Sequence, residues 1–284
     1  MIITKTTHLP VGVLSHSGMT GRNNDVRYAV QGYRLSSSNA TPVTFAIVCD
    51  GIGGNKSGEL AAELAVEKAL QTVGNSVGDR PLKTMLLAVQ TANEAIYSTA
   101  QQADANHGMG ATVAMVWMEA NRLFTTTIGD TRIYLIRENS IRQVSTDHTW
   151  VQEALDNGKL TREEAENHRN AHVIRRYLGS PMVPAADQRL NLRKNEDDAH
   201  ALANQGVELW PGDYVLICTD GLTDHVNDRE IVGVLVHQHR KPQPTVNALV
   251  KLACDRGGKD NITVVLMQVP AYNNLLSQLF SKLA

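Results

Sequence analysis

The chain has 284 residues, and its 27 lysines and arginines against 29 aspartates and glutamates leave a formal net charge of −2 with the ten histidines neutral. Proteins that grip a phosphate backbone or an anionic membrane carry a basic excess, so this balance speaks against nucleic acid and lipid surfaces as partners. A hydrophobic content of 42% with only 20% charged residues supplies a sizeable core and excludes disorder as the dominant state. Cys49, Cys218 and Cys254 are widely spaced, form no disulfide framework or zinc pattern, and read as reduced core residues. The N-terminal stretch MIITKTTHLPVGV lacks the charged-then-apolar order of a signal peptide, and no run approaches the ~18 apolar residues of a membrane span. The expectation is a soluble, cytoplasmic protein.

In chain order, three strand-like segments come first: Leu9 to His16, Val26 to Gln31 and Val43 to Cys49, separated by Gly, Ser or Asn. Two helices follow. Leu60, Ala61, Leu64, Ala65, Ala69 and Val73 recur at three- and four-residue steps behind Ser57 as N-cap, and Pro81 opens a second helix running to about Gln101. Strands return at Ala111 to Met118, Arg122 to Ile128, Arg132 to Ile136 and Ile141 to Val144, joined by short turns that predict an antiparallel meander of hairpins. Asp147 to Leu178 reads as polar helix, interrupted at Asn157-Gly158 and restarted by a capping box at Thr161-Arg162-Glu163-Glu164. Pro181 to Gln205 lacks sustained apolar periodicity and is read as a surface excursion. A strand at Tyr214 to Thr219, helices at Asp228 to His237 and Pro244 to Cys254, and a strand at Ile262 to Val269 close the pattern. Strands and helices come in blocks, which predicts an α+β fold with antiparallel sheets. The last residues, 271–284, form a short amphipathic tail.

Four aspartates sit at the ends of apolar strands. Asp50-Gly51 ends one run, Asp220-Gly221 ends another, Asp130 follows Thr125 to Gly129, and Asp260-Asn261 immediately precedes Ile262. Any one Asp-Gly after a strand is more often a turn. Carboxylates from several strand ends, however, converge at the rim of a core, where they repel unless a cation or proton lies between them. Oxygen donors without His or Cys neighbours suit magnesium or manganese, and a glycine after the aspartate can offer its carbonyl.

The strings around these aspartates resemble the metal-dependent serine/threonine protein phosphatases of the 2C type in their compact bacterial form. They run in order along the chain: SHSGMTGRNND from Ser15, VCDGIGGNKSGE from Val48, GMGATV from Gly108, IGDTRIYLI from Ile128, TDHTWVQEAL from Thr146, VIRRYLG from Val173, CTDGLTD from Cys218 and KDNITVV from Lys259. The resemblance implies a single domain over residues 1–270, built as a four-layer α/β/β/α sandwich of two antiparallel sheets flanked by helices. It implies a helical flap over residues 147–178 beside a metal site of two divalent cations, manganese or magnesium. By position, Asp50 would bridge the cations, the Gly51 carbonyl would bind one, and Asp220 and Asp260 would complete the other. Asp130, sharing Asp220, matches the ligand of a third and weaker cation. The implied activity is hydrolysis of phosphoserine and phosphothreonine in proteins by a water bridging the two cations, opposing a bacterial serine/threonine kinase. A monomer is expected.

The departures from the family pattern are local. Gly21 stands where the family places its phosphate-clamping arginine, so Arg22 is the candidate for that task. The first motif ends Asn24-Asp25-Val26, which leaves Asp25, with Asn261, as a supporting group behind the ligands. Asn55 replaces a histidine that many bacterial members carry after the paired glycines, and an amide cannot serve as a general acid. These changes keep a second reading open: a catalytically weak phosphatase-like domain that binds phosphoproteins or regulators. A third directs the enzyme at one dedicated phosphorylated regulator. Lys56-Ser57 after glycines does not make a phosphate loop, because Asp50 and Asn55 hold the places where glycines are needed. No cysteine is followed by the anion-cradling loop and arginine of a thiol phosphatase. His148 is read as a helix cap, and His168 and His172 as solvated residues of the flap.

Overall fold

Phe45, Ile47 and Cys49 alternate with Ala46 and Val48 along one strand, and all five are fully buried, so this strand is covered on both faces. The structure, a computed structural model, describes residues 1–53, 57–165 and 168–270. One sheet comprises β1 (Ile2–Ile3), β3 (Val26–Arg34), β4 (Pro42–Ile52), β6 (Val113–Glu119), β7 (Arg122–Ile128) and β10 (Val207–Glu208) in that spatial order, with β5 (Gly110–Ala111) paired to β4. The other orders β2 (Val11–His16), β12 (Ile262–Gln268), β11 (Tyr214–Cys218), β8 (Arg132–Arg137) and β9 (Ser140–Gln143). Every pairing is antiparallel, as in Val26 opposite Asp50 and Cys218 opposite Val264.

Period-two alternation sorts the apolar residues into three layers of core. Phe45, Ile47, Met115 and Trp117 face α1 (Ser57–Asn75) and α2 (Pro81–Ala100). Ala46, Val48, Ala114 and Val116 meet Val215, Ile217, Val265 and Met267 between the sheets. Leu216, Cys218, Val264 and Leu266 face α7 (Asp228–His237) and α8 (Pro242–Asp255). The result is the expected α/β/β/α sandwich. Burying a Leu, Ile, Phe or Val side chain contributes roughly 1.5–3 kcal/mol, so these three layers dominate the stability of the fold.

Several local expectations need correction. β6–β7 and β8–β9 are hairpins, but β7 and β8 lie in different sheets, and Gly129-Asp130-Thr131 carries the chain across. Among the described residues, the segment from Asp147 to Leu178 is mostly not helical: they hold only α3 (Trp150–Asp156) and α4 (Arg162–Ala165). Gly158, at φ +64, turns the chain out of α3. The return stretch is extended because its backbone bonds elsewhere: Trp150 N–H donates to the Val173 carbonyl, Arg175 N–H to His148, and Leu178 exchanges bonds with Ala111. The capping box at Thr161 and Glu164 does form. The polar excursion contains α5 (Asp198–Ala203), capped by Asp197, and Asp187 exchanges two backbone bonds with Thr127. Cys49 and Cys218 are buried and Cys254 half-buried, all three free thiols. Among the described residues no helix is long and apolar enough to cross a membrane. Asn55 and the tail 271–284 lie outside the described residues.

Candidate metal centre

Close backbone approaches bring the strand ends together at one edge of the sandwich. A Cβ on Gly51 would lie 2.1 Å from the Gly58 carbonyl oxygen, so only glycine lets α1 begin against the end of β4. A Cβ on Gly221 would lie 2.2 Å from the Asn261 carbonyl oxygen, so only glycine lets α6 (Asp220–Thr223) start beside the turn that carries Asp260. Asp50 is locked from behind: its N–H donates to Thr112 Oγ1 at 3.1 Å and its carbonyl accepts from Thr112 N–H at 2.8 Å. Asp130 stands on the link between the sheets.

Asp25, Asp50, Asp130, Asp220 and Asp260 line a single cavity of about 260 Å³ together with Gly51, Thr112, Asn261, Arg22 and His172. All the residues expected at the site are therefore brought together. A larger cavity of about 550 Å³ opens at the far ends of β8, β11 and β12, beside Arg137, Trp210 and Arg240, but no comparable set of carboxylates converges there. Asn261 uses its whole amide as a brace. Oδ1 accepts from Asp25 N–H at 2.7 Å, and Nδ2 donates to the Ser17 and Asn23 carbonyls at 3.1 and 3.0 Å. The loop that presents Arg22 and Asp25 is thereby tied to Asp260. Arg22 itself is exposed at the cavity wall.

The electrostatics are those of a site short of positive charge. Burial, then Asp220, Asp130, Asp260 and Asp25, push the Asp50 carboxyl well above its ordinary range. Burial, then Asp220 and Asp147, push Asp130 up to about 7. Burial, Glu59 and Asp260 raise Asp25 against the opposing pull of Arg27. Asp25 Oδ1 is also buried without any hydrogen-bond partner, and a lone buried carboxylate oxygen costs several kcal/mol unless a cation or proton meets it. Converging oxygen donors, an orphaned carboxylate oxygen and raised carboxyl pKa values fit hard divalent cations. Cys49 fits no nucleophilic role, since burial and then Asp50 push its thiol up.

Three histidines depart from expectation. His172 is exposed, but its Nδ1 lies 3.3 Å from Asp220 Oδ2 and its Nε2 3.8 Å from Asp224 Oδ2. The hydrogen bond to Asp220, with the charges of Asp224 and Asp220, outweighs desolvation and raises it to about 9. Sequence spacing carried no signal for this contact, because it depends on the extended return of the flap. His168 stacks on Trp150, with centroids 5.0 Å apart. His148 does not cap α3. Thr149 does, accepting from Gln152 N–H, while His148 is buried with both ring nitrogens engaged.

The protein phosphatase 2C family model matches residues 31–253. The serine/threonine protein phosphatase PstP of Mycobacterium tuberculosis is 32% identical over 255 residues, covering 87% of this chain and 46% of PstP. The chain thus spans about half the length of that relative. Protein phosphatase PhpP of Streptococcus pneumoniae is 30% identical over 268 residues, 92% of this chain and 98% of PhpP. The solved catalytic domain of PstP, in complex with two manganese ions, is 30% identical with a TM-score of 0.72, covering 93% of this chain and 99% of that one. With five aspartates of the two sheets and their link facing one cavity, and with the family model matching most of its length, the chain belongs to the protein phosphatase 2C family.

Proposed function

We propose that this protein hydrolyses phosphoserine and phosphothreonine in proteins and depends on two divalent cations, manganese or magnesium. The observation that carries this reading is the convergence of Asp25, Asp50, Asp130, Asp220 and Asp260, from both sheets, on one cavity where burial and then the neighbouring carboxylates push Asp50 and Asp130 up. Asp50, the Gly51 carbonyl, Asp220 and Asp260 would hold the two cations, and Asp130 with Asp220 a third, weaker one. When bound, such cations supply a water acidified to near-neutral pKa and offset the charge of phosphoryl oxygens. The chain's own contribution is placement. Thr112 and Asn261 fix the backbones of Asp50 and Asp25, and Arg22 offers the wall's guanidinium to the substrate phosphate. His172 holds the flap's return stretch against Asp220 and Asp224. Residues 1–270 act as a single domain, since one cavity draws on residues from Arg22 to Asn261. We further place the protein in the cytoplasm, as a monomer opposing a serine/threonine kinase.

The test is hydrolysis of p-nitrophenyl phosphate and a phosphothreonine peptide, with and without Mn²⁺, by wild type and Asp220→Asn. Metal-dependent turnover that the substitution abolishes is expected. Absence of any metal-dependent turnover by wild type above the mutant would sink the reading in favour of a binding domain.

A further inference from the structure

We propose that His148 is a positioning residue that clamps the Gly129–Asp130 turn and so aims the Asp130 carboxylate into the acidic cavity; this rests on the reading of Asp130 as a metal ligand. His148 does not line the cavity and is 4% exposed. Its Nδ1 accepts from Gly129 N–H at 3.0 Å, while its own backbone N–H donates to the Gly129 carbonyl at 2.9 Å. One residue thus satisfies both backbone groups of the residue before Asp130. A ring nitrogen that accepts carries no proton, so the imidazole is neutral with its hydrogen on Nε2. That nitrogen faces Asp187 Oδ2 at 3.3 Å. Asp187 is in turn gripped by the Arg189 guanidinium through three hydrogen bonds and by the Arg189 N–H at 2.8 Å.

The relay therefore runs from Arg189 through Asp187 and His148 to the Gly129 amide. It is anchored to the strand it serves, because Asp187 exchanges backbone bonds with Thr127, two residues before Gly129. On the other side of Asp130, Thr131 Oγ1 lies 2.6 Å from Thr112 Oγ1. Gly129 has φ +95, and an added Cβ would meet Thr112 Cγ2 at 2.5 Å, so the turn has no side chain of its own to stiffen it. Removing the Nδ1 acceptor leaves a buried amide unpaired and the most flexible residue type of the chain unrestrained beside a candidate ligand. Groups that orient metal ligands from behind typically change metal affinity about 10–100-fold. His148 also accepts from Arg175 N–H at 2.8 Å, so the clamp and the flap's return stretch share one residue.

The experiment compares wild type, His148→Leu, His148→Asn and Asp130→Asn. Asparagine places its Oδ1 where Nδ1 stood and is the rescue variant. In metal-free wild type, NMR is expected to show neutral His148 protonated on Nε2 and a slowly exchanging Gly129 amide. In Mn²⁺ titrations followed by calorimetry, Asp130→Asn removes the weakest site. His148→Leu weakens that same site at least about 10-fold, and His148→Asn restores it to within about 3-fold, with all variants melting cooperatively without metal. Nδ1 protonation in wild type, unchanged Gly129 exchange in His148→Leu, or wild-type Mn²⁺ binding in His148→Leu each overturns the proposal. If Asp130→Asn also leaves Mn²⁺ binding untouched, the reading of Asp130 as a ligand fails with it; if only His148→Leu does so, that reading stands.

Discussion

Replacing Asp130 by asparagine in the metal-free protein should reshape its stability against pH. Asp130 is buried and titrates at about 7 instead of 3.8, chiefly through desolvation and then the Asp220 charge. Below about pH 4 both folded and unfolded chains hold this proton, and the group costs nothing. As pH rises the unfolded chain releases its proton first, while the folded one keeps it until about pH 7. Stability therefore falls through that window and levels off above it. The gap corresponds to about 4 kcal/mol, or roughly 8 °C in Tm for a chain of this size. Asparagine has no such titration, and its presence also relieves Asp50 of one repelling neighbour. Urea unfolding in EDTA at pH 4.5, 6 and 8 measures the effect. Taking the difference between the two proteins cancels other groups such as Asp187, which His148 and Arg189 hold low in both. The asparagine variant should gain on wild type steadily from pH 4.5 to 8, and saturating Mn²⁺ at pH 8 should favour wild type again. A difference constant within about 1 kcal/mol across the range would refute the reasoning.

Gly51→Ala should destabilise the fold by more than about 3 kcal/mol, because the new Cβ meets backbone that cannot give way, and thermal unfolding would show it. Asn261→Ala strips three hydrogen bonds from the loop that bears Arg22 and Asp25; a loss of about 3 kcal/mol and a raised KM for a phosphopeptide are expected from denaturation and steady-state kinetics. Arg22→Ala should leave Tm within about 1 °C while raising KM roughly 10-fold or more, since this side chain is exposed at the cavity wall. An unchanged KM removes Arg22 from substrate binding.

The sandwich was legible wherever a strand was buried on both faces or a helix kept its period. β4, β7, β11, β12 and α7 fall within a few residues of their expected bounds, because Phe45 to Cys49 or Tyr214 to Cys218 permits few alternatives to a core strand. The flap was misread for the opposite reason. From Asp147 to Leu178 no apolar repeat at a helical step is sustained beyond Val151, Ala154 and Leu155 of α3, and the course of the return stretch is decided by distant backbone groups on Ala111 and His148. β1 and β10, two residues each, are too short to leave a pattern. The jump from β7 to β8 was hidden because a three-residue link looks the same whether it closes a hairpin or changes sheets.

The site divides along the same line. Asp50, Asp130, Asp220 and Asp260 were found because each stands at one end of an apolar run, a property of single strands. Asp25, Asn261 and His172 gain their importance from partners far along the chain, as in Asn261 Oδ1 holding Asp25 N–H and His172 reaching Asp220. That division has a physical consequence. Asp50 hangs from the seven-stranded sheet, Asp220 and Asp260 from the five-stranded one, and Asp130 from the link between them. Their repulsion therefore acts across the seam of the sandwich, where Ala46 and Ala114 keep the facing layers close. A cation at this edge would tie the two sheets together, so a charge bound there for chemistry would also offset the repulsion that the architecture places across its seam.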